Sequence, residues 1–348
     1  MEINKNEERN SCSGRASDAP SVLRPVFIIG AQRSGTTLLR LMLNAHPAYC
    51  VPEESTFLMP LLRKIKSGKS TFSPAEFESF LSYLRKNSQF ALWGITVENL
   101  DKKFRCVSRI DITECITFLF NEYCLLEQKS GWADKTPSYF RMVDVLSKIF
   151  PTAKFIHIVR DGRDLYLSWK KMDPTKSNPA VMAKEWCYKV NLATKLLNEC
   201  ASDRYMEIRY EDLARDSAGI LNSLCEFLAI EYTEKMLEYW KKSESYIGKH
   251  HSKLIFTGVS DTSIDKWKTS SLVEQRDIQV FEIFAVKVLM EKGYVVELSK
   301  VSHLFFVKAY WTLLLGLPLR AFQVFKTKIV LDLSAKFGLR TKASGGEQ

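Results

Sequence analysis

Two stretches of the chain gather residues that could bind and move charged groups. In residues 26–46, VFIIGAQRSGTTLLRLMLNAH, Gly30 and Gly35 frame Arg33, and Thr36 and Thr37 follow at once. Glycine lets a ligand approach the backbone, the threonines offer hydroxyls beside free N–H groups, and arginine adds a fixed positive charge. Together they describe an anion site at a helix N-terminus. In residues 153–170, AKFIHIVRDGRDLYLSWK, Arg160 closes an apolar run and Ser168 lies further along. A guanidinium fork and a hydroxyl can converge on one phosphate, while Arg160 beside Asp161 or Asp164 can also be read as a surface ion-pair cluster.

Each stretch needs a strand to carry it and a helix to follow. Val26, Phe27, Ile28 and Ile29 suit a buried parallel strand, Gly30 turns the backbone, and Leu38, Leu39, Met42 and Leu43 recur at helical spacing toward a core. Phe155, Ile156, Ile158 and Val159 repeat the strand, Asp161-Gly162 the turn and residues 164–169 the helix start, with His157 as a satisfied core histidine. A further strand is predicted at 205–208, closed by Arg209-Tyr210-Glu211-Asp212-Leu213. Helices are predicted at 57–65, 74–86 (started by Ser73-Pro74), 111–129, 180–200, 217–228 and 273–292. The expected fold class is α/β, a three-layer α/β/α P-loop-like fold with a central parallel sheet. Two polar stretches interrupt the helical patterns: 48–57 with Glu53-Glu54, and 131–137, GWADKTP. Connections at strand ends are where such sheets place function.

Gly30 and Gly35 have the spacing of a nucleotide-binding Walker loop, but Thr36 stands where that loop needs lysine, and the cation has moved inside to Arg33. Such a loop still cradles a phosphate, yet it is poorly equipped for a triphosphate with its metal. With these substitutions, PVFIIGAQRSGTTLLRLMLNAHP resembles the 5′-phosphosulfate loop of sulfotransferases that use 3′-phosphoadenosine 5′-phosphosulfate (PAPS). It is most similar to the tyrosylprotein sulfotransferases and their bacterial relatives, over residues 25–298.

The resemblance implies a PAPS-dependent transferase that requires no metal. It implies that Arg33, Ser34, Gly35, Thr36, Thr37 and Leu38 cradle the 5′-phosphosulfate, and that Arg160 and Ser168, at the family's spacing, hold the 3′-phosphate. Counted without a gap from Arg33, the family's catalytic glutamate falls on Glu54, which would take the proton from an attacking hydroxyl; spacing alone reads Glu53-Glu54 as a solvated turn. The Lys135-Thr136-Pro137 triplet implies that Lys135, with Arg33, stabilises charge on the sulfuryl group and the bridging oxygen. Tyr210 would border the cofactor, as would Ser263, or next Ser260, in the loop before Trp267. Residues 57–130 would build the wall over the acceptor site. The implied acceptor is a hydroxyl on a glycan, lipid, peptide tyrosine or small metabolite. Two other functions stay open: a P-loop nucleoside-triphosphate kinase-like enzyme, and a non-catalytic membrane-associated binding protein that kept the fold.

The 348 residues are 46% hydrophobic and 26% charged, a balance that folds, and carry a net charge of +10. That charge suits nucleic acid, anionic lipid or a polyanionic cofactor; the loop selects the cofactor, and no nucleic-acid partner is expected. Eight cysteines without C-x-x-C spacing or partner histidines read as buried thiols of a reducing compartment rather than a metal site, and His250-His251 as surface. Residues 1–24 are polar, lack the apolar core of a signal peptide and are expected to be disordered, ahead of a catalytic domain over 25–298 and a basic tail over 299–348. In the tail, LFFVKAYWTLLLGLPLRAFQVF at 304–325 is broken by Lys308, Gly316, Pro318 and Arg320, and its longest uncharged run is eleven residues, short of the roughly 20 that span a bilayer. Beyond Lys300 come seven Lys and Arg against Asp332 and Glu347. The tail is therefore expected either to lie in plane on anionic lipid, which would place the protein in the cytoplasm at the inner face of a membrane, or to pack on the catalytic domain or a second copy in a homodimer.

Overall fold

The computed structural model describes residues 23–199, 201–241, 261–296 and 302–337. Residues 1–22 of the polar N-terminal segment, His250-His251 and Ser260 lie outside the described residues. Seven strands are described: β1 (Val26–Gly30), β2 (Tyr49–Cys50), β3 (Thr71–Phe72), β4 (Ile110–Asp111), β5 (Gly131–Asp134), β6 (Lys154–Val159) and β7 (Tyr205–Arg209). Five of them form a parallel sheet in the order β2-β5-β1-β6-β7, and β3 pairs antiparallel with β4 apart from it. The chain fills one side of β1 with β2 and β5, then crosses to the other side at β6. Open α/β sheets bind ligands outside the carboxyl ends of the strands at such a reversal.

The alternation of β1 sets the layers. Val26 and Ile28 face α1 (Thr36–Ala45), burying Leu38, Leu39, Met42 and Leu43 with Ile156, Ile158 and Ile208. Phe27 and Ile29 face the opposite layer, where Phe27 stacks on Phe155 at 5.5 Å and meets Trp132 edge-on at 5.6 Å. Between β2 and β5 run α2 (Met59–Lys66), α3 (Pro74–Lys86), α4 (Ser88–Ala91), α5 (Glu98–Phe104) and α6 (Ile112–Leu126). The start of α3 is a capping box in which Ser73 and Glu76 satisfy each other's backbone N–H groups. After β5 come α7 (Val143–Ile149), α8 (Gly162–Met172), α9 (Pro179–Asn198), α10 (Tyr210–Arg215), α11 (Ser217–Leu228) and α12 (Leu272–Glu291). The architecture is the expected α/β/α sandwich. His157 is buried in β6 with its Nδ1 3.1 Å from Glu207, a satisfied core histidine.

Three expectations change. The polar interruptions at 48–57 and 131–137 contain β2 and β5; both are short, and β5 is a strand because Trp132 packs on Phe120 at 4.0 Å and its backbone completes the sheet, not because of a local apolar run. Cys106 is exposed, whereas the other described cysteines are buried. Gly316 and Pro318 do not break the tail, which is one helix, α13 (His303–Phe337), containing Pro318. Gly316 is a contact residue there: a side chain would collide with Asn178, which caps α9, and with Val181 within it, so the absence of a Cβ lets the two helices close. Asn178 Nδ2 donates to Thr312 O at 2.9 Å, Arg320 pairs with Glu185 at 2.9 Å, and Tyr310 meets Phe284 of α12 edge-on at 5.1 Å. One side of α13 thus packs on the domain. By length and composition, its His303–Gln323 segment is apolar and long enough to cross a membrane.

Candidate active site at the carboxyl ends of the strands

The loop after β1 is shaped around an anion. Gly35 caps α1 at φ 97°, and a side chain there would collide with the Tyr210 ring, so both conformation and space require glycine. No side chain caps α1, which leaves its first N–H groups free of capping side-chain acceptors beside the buried Thr36 and Thr37. Leu38 turns its side chain into the core, so only its backbone faces the loop. Ser34 is buried and donates its hydroxyl to Ala31 O at 2.6 Å, a bond that shapes the turn.

Arg33 holds a left-handed φ of 74°, a conformation that costs an arginine about 1 kcal/mol. Three hydrogen bonds from the second strand–helix unit maintain this loop: Arg160 Nη1 donates to Arg33 O at 3.0 Å, Arg33 Nε to Ser168 Oγ at 3.1 Å, and Trp169 Nε1 to Gln32 O at 3.1 Å. Arg160 also donates through Nη2 to Ser263 O at 2.6 Å and lies 4.6 Å over the Tyr210 ring, while the Tyr210 and Ser263 hydroxyls are 2.5 Å apart. Arg33, Arg160, Ser168, Tyr210 and Ser263 therefore form one cluster at the β1/β6 reversal. Within it, Arg160 Nε and Asp164 Oδ2 are buried without a hydrogen-bond partner among the described residues. Buried polar atoms are rarely left so; the Arg160 Nε is a donor and the Asp164 oxygen an acceptor, so of the two only the arginine suits an anion. Of the two carboxylates in the ion-pair alternative, Asp161 is taken by Arg163 at 2.7 Å, which also holds Glu282 at 2.6 Å, while Asp164 stays within reach of the Arg160 charge; Arg160 itself is buried rather than on the surface.

Glu54 follows β2 and Lys135 follows the neighbouring β5, and Lys135 Nζ donates to Glu54 Oε1 at 2.5 Å. Lys135 is buried while the Glu54 side chain is 36% exposed, so the carboxylate reaches solvent and the ammonium does not. Glu53 turns away, to Arg40 at 3.0 Å, and its carbonyl accepts from Trp93 Nε1 at 2.9 Å. Through Trp93 and its edge-on contact with Phe57 at 5.1 Å, the helices of 57–130 brace this loop.

Beneath the Glu54–Lys135 pair lies a buried polar network that the sequence reading does not name. Ser55 Oγ contacts Asp134 and the Tyr139 hydroxyl (2.7 Å); Thr136 Oγ1 accepts from Ser55 N at 2.9 Å and donates to Asp134 Oδ1 at 2.8 Å. Tyr139 donates to Ser55 O at 2.9 Å. These bonds tie the glutamate's loop to the lysine's. Their signal in the sequence is adjacency alone: Ser55 follows Glu54, and Asp134 and Thr136 flank Lys135. Burial lifts Asp134 to about 6 from 3.8, against the lowering effect of its bonds from Ser55 and Thr136. Between those values the folded chain binds more protons than the unfolded one, so this residue's contribution to stability is present below pH 4 and is lost as pH rises through 6. Asp134→Asn should flatten the pH dependence of the unfolding midpoint across that window, removing up to about 3 kcal/mol of variation. A profile parallel to the unaltered chain's would place the raised group elsewhere.

Among the described residues, no group of His, Cys, Asp and Glu could hold a metal ion. The model of the Sulfotransferase family matches residues 25–234, a span that takes in Arg33, Glu54, Lys135, Arg160, Ser168 and Tyr210. Protein-tyrosine sulfotransferase 1 of Danio rerio is 28% identical over 229 residues, 64% of this chain and 57% of that protein. Protein-tyrosine sulfotransferase 1 of Homo sapiens is 33% identical over 138 residues, 40% of this chain and 31% of that protein. The chain thus spans little more than half the length of these relatives, or less. The sulfotransferase domain of the Synechococcus PCC 7002 olefin synthase shares the fold, with a TM-score of 0.54 and 24% identity over 79% of this chain and 96% of that one. With the family's match laid over the loop, the carboxylate–lysine pair and the second arginine, the chain belongs to the sulfotransferase family.

Proposed function

We propose that the chain transfers a sulfuryl group from PAPS to a hydroxyl acceptor. The observation that carries this is the joined pair of anion sites at the β1/β6 reversal, Arg33 on one side and Arg160 on the other, with Glu54 and Lys135 at neighbouring strand ends. A donor with a 5′-phosphosulfate and a separate 3′-phosphate matches two such sites, and the unpartnered Arg160 Nε fits the second phosphate. When bound, PAPS supplies the sulfuryl group and a phosphate leaving group. The α1 N-terminus with Thr36 and Thr37 holds the 5′ end, Arg160 and Ser168 the 3′-phosphate, and Tyr210 and Ser263 border the nucleotide. Glu54 takes the acceptor hydroxyl's proton, and the Lys135 ammonium and Arg33 guanidinium oppose negative charge developing beside it. The names of the relatives make peptide tyrosine the first acceptor to try.

The test incubates the intact chain with sulfur-labelled PAPS and tyrosine peptides, then with cell extract, reading label transfer and release of adenosine 3′,5′-bisphosphate. Labelled acceptor with matching release is the expected result. Tighter calorimetric binding of Mg-ATP than of adenosine 3′,5′-bisphosphate would point to a nucleoside-triphosphate enzyme. Binding of the bisphosphate without turnover on any acceptor would leave a non-catalytic protein on this fold.

A further inference from the structure

The outer side of α13 has no part in the reaction above, and its chemistry is specific. Taking about 100° per residue, Leu317, Tyr310, Leu314, Trp311, Leu315 and Leu319 sweep an arc of about 200°, all exposed. The complementary strip, with Ala309, Leu313, Gly316 and Arg320, is the one seated on α9 and α12. Within residues 303–325 the charged side chains are Lys308 and Arg320; Arg320 is paired with Glu185, and Lys308 stands exposed at one edge of the arc. A partner helix covers a narrow stripe, not an arc of this breadth. A bilayer covers it whole.

We infer that α13 docks the catalytic domain in plane on an anionic lipid surface. Charge supports lipid over a second copy. Lys308 edges the apolar arc, and Lys184, exposed on α9, sits 5.3 Å over the Phe284 ring that Tyr310 touches. Beyond residue 320 the sequence adds five more Lys and Arg (Lys326, Lys328, Lys336, Arg340, Lys342) against Asp332 and Glu347. Two identical basic faces would repel, whereas anionic headgroups attract both. The helix lies in the surface and does not cross it, because crossing would draw α9, with Lys184, Glu185 and Lys189 alongside, into hydrocarbon.

The experiment is co-sedimentation of the intact chain with phosphatidylcholine vesicles and with vesicles that also contain phosphatidylserine, at low and physiological salt. Binding should favour the anionic vesicles and weaken with salt. Trp311→Glu with Leu315→Glu should lower partitioning by about 10-fold or more, since two inserted apolar groups are lost and two like charges meet the headgroups. Both positions are exposed, so the thermal midpoint should hold; Trp311→Gln with Leu315→Gln, without added charge, should still weaken binding. Equal sedimentation of variants and intact chain overturns the inference. So does an intact chain that ignores both vesicles, and self-association lost in the same variants would then give this face to a second copy.

Discussion

Glu54→Gln should lower turnover by about 10²-fold or more while the affinity for adenosine 3′,5′-bisphosphate barely moves. Glutamine keeps the side chain's size and an oxygen for the Lys135 Nζ that now lies 2.5 Å from the carboxylate, so the loop stays where the Ser55–Asp134–Thr136–Tyr139 network pins it. What is lost is the capacity to accept a proton. Because the carboxylate is more than a third exposed, the stability cost should stay within about 1 kcal/mol. Glu53 is the control, though not the silent one the sequence suggests. It pairs with the buried Arg40, so Glu53→Gln should lower the unfolding midpoint and spare turnover. Equal turnover losses at both positions would reduce the stretch to a structural turn. A loss confined to Glu53 would mean that the gap-free count from Arg33 sets the base one residue too far along.

The contrast between these two carboxylates shows what the sequence could carry. Spacing from Arg33 singles out Glu54, but nothing local shows that Glu53 turns to Arg40, thirteen positions back and across the strand. Strands β1 and β6 and helices α3 and α11 declare themselves through apolar runs, caps and periodicity. β2 and β5 do not, because two and four residues of mixed polarity become strands only when a neighbour's edge is there to pair with. The same limit hides the buried network, whose members are ordinary polar residues in sequence and acquire meaning once two loops meet. In α13 the local signal misleads: Gly316 and Pro318 read as breaks, and packing on α9 keeps the helix whole.

Arg160→Ala should weaken adenosine 3′,5′-bisphosphate binding by several kcal/mol, on the order of 10²- to 10³-fold in Kd. Arg160 does two jobs at the β1/β6 reversal. Its buried Nε has no hydrogen-bond partner among the described residues, so removing it takes away a donor and a full charge from the proposed phosphate site. Its two Nη atoms hold Arg33 O and Ser263 O, so the alanine variant also loosens the loop that carries the left-handed Arg33 and the turn that brings Ser263 to Tyr210. Arg160→Lys separates the two. Lysine restores charge but not the fork, so binding should recover only in part if the bidentate geometry matters. Ser168→Ala should cost about tenfold or less, since one neutral hydroxyl contributes about 1 kcal/mol and Arg33 keeps its other contacts. The comparison has to be made with adenosine 5′-phosphate as well: a 3′-phosphate at Arg160 predicts that this ligand, which lacks it, loses little affinity in the variant. Equal losses for both nucleotides would mean that Arg160 acts through the 31–35 loop alone, and unchanged affinity for the bisphosphate would remove the 3′-phosphate from this end of the site.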